Sequence, residues 1–237
     1  MGFMEAMRKM EDQSCNQKTV HVLNGQAMLQ MVKENQLLLD DTVIAFNEAM
    51  CTHQTNFPIF TENFNRLRAK GHDVTLESYH SVVLQALQPL FDTTFDQIVL
   101  WFGKDVFCQM NVLTLLAYFE QAGVKTAIYL ATFDEIMDDG VTLQQMRLGT
   151  FRELYGTVLI EKRQPNATGN VILDQAITRF LALEQLDNPI ALWIKQNQEF
   201  TDNQLVRALI QQFPEYGYGD VQYQALIQNT KNNAKDK

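Results

Sequence analysis

The run Ile98-Val99-Leu100-Trp101-Phe102-Gly103-Lys104-Asp105-Val106-Phe107-Cys108-Gln109-Met110-Asn111 leaves this chain few ways to fold. Ile98 to Phe102 read as an apolar strand, Gly103 as the turn, and Asp105 as the N-cap of a helix that continues to Gln121-Ala122, with Gly123 as its C′ residue. Val112, Leu113, Leu115, Leu116, Ala117 and Phe119 occupy nearly every side of that helix, which predicts burial against a sheet. A strand feeding a helix in this way delivers polar groups to the carboxyl edge of a parallel sheet, where open α/β folds bind their ligands.

The theme recurs along the chain. Val20 to Leu23 closes on Asn24-Gly25, ahead of Ala27, Met28, Met31 and Val32 at helical spacing. Thr42 to Phe46 ends in Asn47-Glu48, and Lys125 to Ala131 ends in Thr132 and Asp134. The stretch between Ala49 and Asp96 reads as a mostly helical insertion, one helix carrying Phe60, Phe64 and Leu67 and another, capped by Thr75, carrying Leu76, Tyr79, Val82, Val83 and Leu87. After Gly149 the pattern is helical throughout, with capping boxes at Thr150/Glu153 and Thr201/Gln204 and with Pro189 starting a helix. The predicted fold is a Rossmann-like, three-layer α/β domain with a mainly parallel sheet over residues 19–149, followed by an all-helical C-terminal region over residues 150–228. Residues 1–18 are expected as a flexible N-terminus and residues 229–237 as a disordered tail.

Charge and cysteine usage narrow the classes of partner. A net charge of −9, with basic residues scattered in short groups such as Arg66/Arg68/Lys70, repels phosphate backbones and predicts no nucleic-acid binding. The helix-loop-helix around Gln212 to Gly219 is a poor helix-turn-helix, because its connector is too long and Gln222, Tyr223 and Gln224 bring no basic residue to a groove. Cys15, Cys51 and Cys108 form no close pair, which argues against a disulfide framework or a cysteine-rich zinc site and predicts a reducing, cytoplasmic setting. No apolar run approaches the roughly 20 residues of a membrane span, so no membrane partner is expected.

If the strands run parallel, Asn24, Glu48 and Asp105 emerge at one sheet edge. Glu48 and Asp105 are the candidate catalytic groups, as general base or as carboxylates holding a hydrated Mg²⁺. His21, Asn24, Gly25, His53, Gly103, Cys108, Gln109 and Asn111 are the candidate ligand-binding residues. Several have a structural alternative: Asp105 as a plain helix cap, Cys108 as a small core thiol, Gln109 and Asn111 as amides bonded to loop backbone, His21 as a core histidine bonded to backbone. His72 and His80 stand eight apart with no ligand at i+4, so no metal site is expected on them. Neither Asn24-Gly25 nor Gly103 belongs to a glycine-rich phosphate loop, so the cofactor is left unassigned.

His21-Val22-Leu23-Asn24-Gly25, Phe46-Asn47-Glu48-Ala49-Met50 and Leu100 to Asn111 resemble the bacterial family called domain of unknown function 1835. Tyr216-Gly217-Tyr218-Gly219-Asp220-Val221-Gln222-Tyr223 is similar to the helical segment that often accompanies that family. The resemblance spans roughly residues 19 to 228 and departs from the family pattern at Gln26, where acidic or small residues are usual. It implies no established activity. The expected function is binding of a small polar or phosphorylated metabolite at the sheet edge. The alternative is a non-catalytic regulator or interaction module, motivated by Tyr216, Tyr218 and Tyr223 as exposed aromatics and by a helical C-terminal region suited to homo-oligomer formation. A DNA-binding regulator ranks third.

Overall fold

The computed structural model describes residues 2–13, 17–134 and 140–235. Cys15, within the stretch expected to be a flexible N-terminus, and the last two residues of the expected tail, 236 and 237, lie outside them. Four parallel strands, β1 (Thr19–Leu23), β2 (Thr42–Ala45), β3 (Gln97–Gly103) and β4 (Ala127–Phe133), and one antiparallel edge strand, β5 (Thr142–Met146), form a sheet in the order β2-β1-β3-β4-β5. The chain leaves β1 to one side for β2 and then crosses to β3 on the other, so the strand order reverses between β1 and β3. A fifth strand was not predicted, because Thr142, Gln144 and Gln145 give it no apolar signature and four of its five residues are exposed.

Alternation along the central strand sorts its side chains to two apolar layers. Val99 and Trp101 face α1 (Phe3–Gln13) and α2 (Gln26–Glu34), where Met7, Met10, Met28, Leu29 and Val32 are buried. Ile98, Leu100 and Phe102 face the opposite layer. That layer contains α3 (Glu62–Gly71), α4 (Leu76–Tyr79), α5 (Gln85–Asp92) and the buried helix α6 (Val106–Gln121). The N-terminal stretch expected to be flexible is therefore helical over Phe3–Gln13: Ala6 and Met7 are buried, and the Phe3 ring meets Trp101 edge-on at 5.6 Å. Between α4 and α5 a π-helical turn, His80–Leu84, takes up the angular drift that Tyr79, Val83 and Leu87, each four residues apart, accumulate on a 3.6-residue helix. Val82 is left outside, 53% exposed.

The C-terminal helices α7 (Phe151–Tyr155), α8 (Val171–Ala182), α9 (Pro189–Gln196), α10 (Asp202–Gln212) and α11 (Asp220–Lys235) join the same apolar layer as α6 through Leu154, Ile177, Ile194, Leu209 and Tyr223. α11 continues through the stretch expected to be a disordered tail as far as Lys235. The capping box at Thr201 forms with both of its hydrogen bonds, whereas Thr150 makes no side-chain cap bond, so the box predicted there is absent. Tyr216, Tyr218 and Tyr223, expected to be exposed, are 3%, 7% and 0% exposed. Their rings pack on one another in sequence, with centroids 5.8 and 5.7 Å apart, and each places its phenol in the interior rather than on a docking surface.

Candidate functional site

The carboxyl ends of β1, β2 and β3 do bring the predicted polar residues together, but largely onto one another. Asp105 caps α6, accepting from the Cys108 amide at 2.8 Å and from the Cys108 thiol. Cys108 is buried and its sulfur accepts from Asn24 Nδ2 at 3.0 Å. Asn24 Oδ1 accepts from Asn111 Nδ2 at 3.3 Å. Asn111 also donates to the Glu48 carbonyl at 2.9 Å and accepts from the Met50 amide at 3.0 Å. A continuous chain of hydrogen bonds thus ties the three strand exits into a solid polar plug. Gly103 belongs to it by close approach: a Cβ there would stand 2.5 Å from Asp105 Oδ2 and 3.2 Å from Cys108 Sγ. Gln109 Nε2 donates to the Gly103 carbonyl at 2.6 Å, leaving Oε1 buried without a partner among the described residues. The Cys108 thiol is a buried group with its donor and acceptor sites both engaged.

Glu48 is enclosed in a second network. Oε1 accepts from Arg68 Nη2 at 2.8 Å, His72 Nε2 at 2.6 Å and the Ala49 amide at 2.8 Å; Oε2 accepts from Arg68 Nε at 3.2 Å and the Tyr79 hydroxyl at 2.6 Å. Both side chains of the Glu48–Arg68 pair are fully buried. Burial alone would raise the Glu48 pKa, but the His72 hydrogen bond and the Arg68 charge overcome it and hold the carboxyl below the usual carboxylate range. Arg68 donates as well to the carbonyls of Ala49, Thr52 and Gln54, so the pair folds the irregular loop after β2 around itself. With every lone-pair direction taken, Glu48 is committed to internal hydrogen bonds, where the sequence led us to expect a general base or Mg²⁺ ligand. Among the described residues no group of three or more His, Cys, Asp or Glu side chains is placed to hold a metal ion.

Of the two histidines expected at the site, His21 is buried and His53 lies at the surface. The His21 ring is fully buried: the Trp101 indole N–H donates to Nδ1 at 2.9 Å, which fixes the tautomer so that Nε2–H donates to Asp41 Oδ2 at 3.0 Å. Its partners are thus two side chains, where backbone was expected. His53 is exposed and sits edge-on against His72 at 4.8 Å, on the outside of the Glu48 network. Asp105 itself is covered from the C-terminal side, where its carboxylate packs directly on Gly217, and burial raises its pKa above the ordinary aspartate value. The neighbouring Tyr218 side chain hydrogen-bonds Cys51, whose thiol burial pushes up to about 12.

An open crevice of about 560 Å³ lies beside this plug. β1 ends at the row of Leu23 and Trp101, whereas β3 and β4 run on to Gly103 and Phe133, and residues of α1 and α2 wall the hollow beside that step. Asn24 and Asp134 supply polar groups to the lining; Phe3, Met28, Met31 and Phe133 supply apolar ones. Neither a protein-family model nor a curated protein matches this chain. The geometry of the crevice therefore carries the functional argument. Of the predicted site residues only Asn24 lines it, with Gly25 adjoining as the N-cap of α2. The other lining residues were not among the predicted site residues: the helical spacing of Ala27, Met28 and Met31 and the strand-exit position of Asp134 were visible in the sequence but not read as a site, and nothing in the sequence pointed to Phe3, Phe133 or Gly140.

Proposed function

We propose that this chain is a Rossmann-like small-molecule-binding protein of the domain of unknown function 1835 kind, working in a reducing cytoplasm, with its ligand in the crevice beside Asn24. The supporting observation is that crevice: a cavity of about 560 Å³, within the usual range for metabolite sites, at the carboxyl ends of the strands where their order reverses. The reading is binding without an assigned reaction, because Glu48 and Asp105 are both committed to internal hydrogen bonds. The interaction-module alternative loses one of its two grounds with the burial of Tyr216, Tyr218 and Tyr223.

Thermal unfolding against a panel of nucleosides, nucleotides, sugar phosphates and amino acids tests this. A ligand at about 100 times its Kd stabilises by about 2.7 kcal/mol, several degrees for a chain of this size. The shift is expected to vanish in Ala27→Trp, which fills the crevice from an exposed helix position. Silence across the panel, or a shift that survives in Ala27→Trp, removes the crevice as the binding site.

A further inference from the structure

The network around Glu48 ends at the surface in two histidines. His72 follows the last turn of α3 with its side chain 26% exposed, and its Nε2 stands 2.6 Å from Glu48 Oε1. An ionised carboxylate only accepts, so Nε2 carries the hydrogen and the lone pair of the neutral ring lies on Nδ1. Nδ1 makes no hydrogen bond among the described residues. His53 lies beside it, exposed and likewise without a hydrogen bond among the described residues, its ring edge-on to His72 with the two ring centres 4.8 Å apart.

Three features hold His53 in that place. Its backbone is left-handed, with φ 62°, a conformation that a residue with a side chain keeps only where its surroundings enforce it. Arg68 enforces it: Nη1 donates to the carbonyls on either side of His53, Thr52 at 2.7 Å and Gln54 at 3.2 Å. Gly71, the last residue of α3, makes the room, since a Cβ there would stand 2.7 Å from His53 Cβ and 2.9 Å from Cγ. The buried ion pair thus serves both histidines. Glu48 orients one ring, and Arg68 clamps the loop that carries the other.

The spacing of the rings is that of two imidazoles on one metal ion. With metal–nitrogen bonds of about 2.1 Å each ring centre stands roughly 3.2 Å from the ion, and coordination angles of about 90–110° separate the two centres by roughly 4.6–5.3 Å. A carboxylate bonded to the far nitrogen of a histidine ligand is the usual support of such a site, because it fixes the tautomer and makes the ring a better donor to the metal. The net charge of −9 favours a cation at the surface, and the ion pair beneath adds no net charge of its own. We propose that His53 and His72 form a surface site for one divalent ion of the nickel, copper and zinc group, with His72 binding through Nδ1 and Glu48 holding its ring. The chain supplies two ligands, fewer than the three sought in a closed metal centre, and water takes the remaining positions. The site is independent of the crevice.

Isothermal titration of the full chain with Ni²⁺, an ion that prefers imidazole to thiolate, tests this. One ion is expected per chain. His53→Gln, at an exposed position, is expected to weaken it at least about tenfold with the urea midpoint unchanged. His72→Gln, whose amide can still donate to Glu48, should weaken it equally, and His53→Gln carries the test by itself if that variant does not fold. His80→Gln, an exposed histidine outside the pair, should leave the affinity as it was. Pulsed electron paramagnetic resonance on the chain loaded with one equivalent of Cu²⁺ is expected to count two imidazoles on the ion. Absence of Ni²⁺ binding, an affinity in His53→Gln within about twofold of wild type, an equal loss in His80→Gln, or a single imidazole on Cu²⁺ overturns the site.

Discussion

Glu48 shows how a single residue changes meaning once its neighbours are known. A glutamate at a strand exit reads as a site carboxylate, but Arg68, His72 and Tyr79 converge on it and both charges of the Glu48–Arg68 pair are removed from water. Breaking one side of such a pair leaves the other charge buried alone, so Glu48→Gln is expected to cost about 3 kcal/mol at pH 7, read as a lower urea midpoint. An unchanged midpoint would return Glu48 to the list of groups available to a ligand. The pH dependence has a definite sign. The carboxyl titrates below its ordinary value of 4.5, so its contribution is complete above that value and is lost as pH falls towards the depressed native one. The gap between wild type and Glu48→Gln should therefore narrow when both are measured near pH 3, roughly a unit and a half below the value at which linkage begins to withdraw it. Arg68 was not legible in this role: within Arg66/Arg68/Lys70 it reads as part of a solvated helix face, and its partner lies 20 residues away.

Elements whose signals are local were read well. The strand cores, the Asp105 and Thr75 caps, Gly123 after α6 and Pro189 at the first turn of α9 all depend on a few adjacent residues, and all are present. Local pattern also has a limit, visible in two threonines. Thr201 and Gln204 exchange both hydrogen bonds of a capping box, whereas Thr150 has the same sequence signature and a side chain with no cap bond, because its backbone leaves the extended region that a capping threonine needs. Thr201→Ala is expected to destabilise by about 1 kcal/mol and Thr150→Ala by at most a few tenths, measured by urea unfolding. Equal losses would show that the Thr150 hydroxyl caps α7 in solution. β5 was invisible for a related reason: its polar residues acquire strand geometry only from the β4 edge against which Thr142 to Met146 pair.

At the scale of the molecule, the C-terminal helices and the sheet are joined where Gly217 seats on Asp105, next to the Tyr218–Cys51 hydrogen bond. Gly217 has φ 62°, and a Cβ there would collide with the Asp105 carboxylate. Gly217→Ala is therefore expected to lift the Tyr216–Gly219 loop from the sheet edge, raising amide hydrogen exchange in that loop and in the first turn of α6 while β1 and β3 keep their protection. Unchanged exchange in both segments would show that the contact contributes nothing to closure. The apolar periods, the turn residues and the caps were enough to specify most segments that become strands or helices, α1, β5 and the end of α11 excepted, and which residues reach the carboxyl edge, because those properties are set within one or two turns of chain. Whether the polar groups at that edge face a cavity or one another depended on contacts between residues 20 to 87 positions apart, such as Glu48 with Arg68 and Asn24 with Asn111. The crevice lies one step to the side, because α1 docks its Phe3 on Trp101 and Phe133 there, and apolar burial of that kind has no direction that a linear pattern can encode.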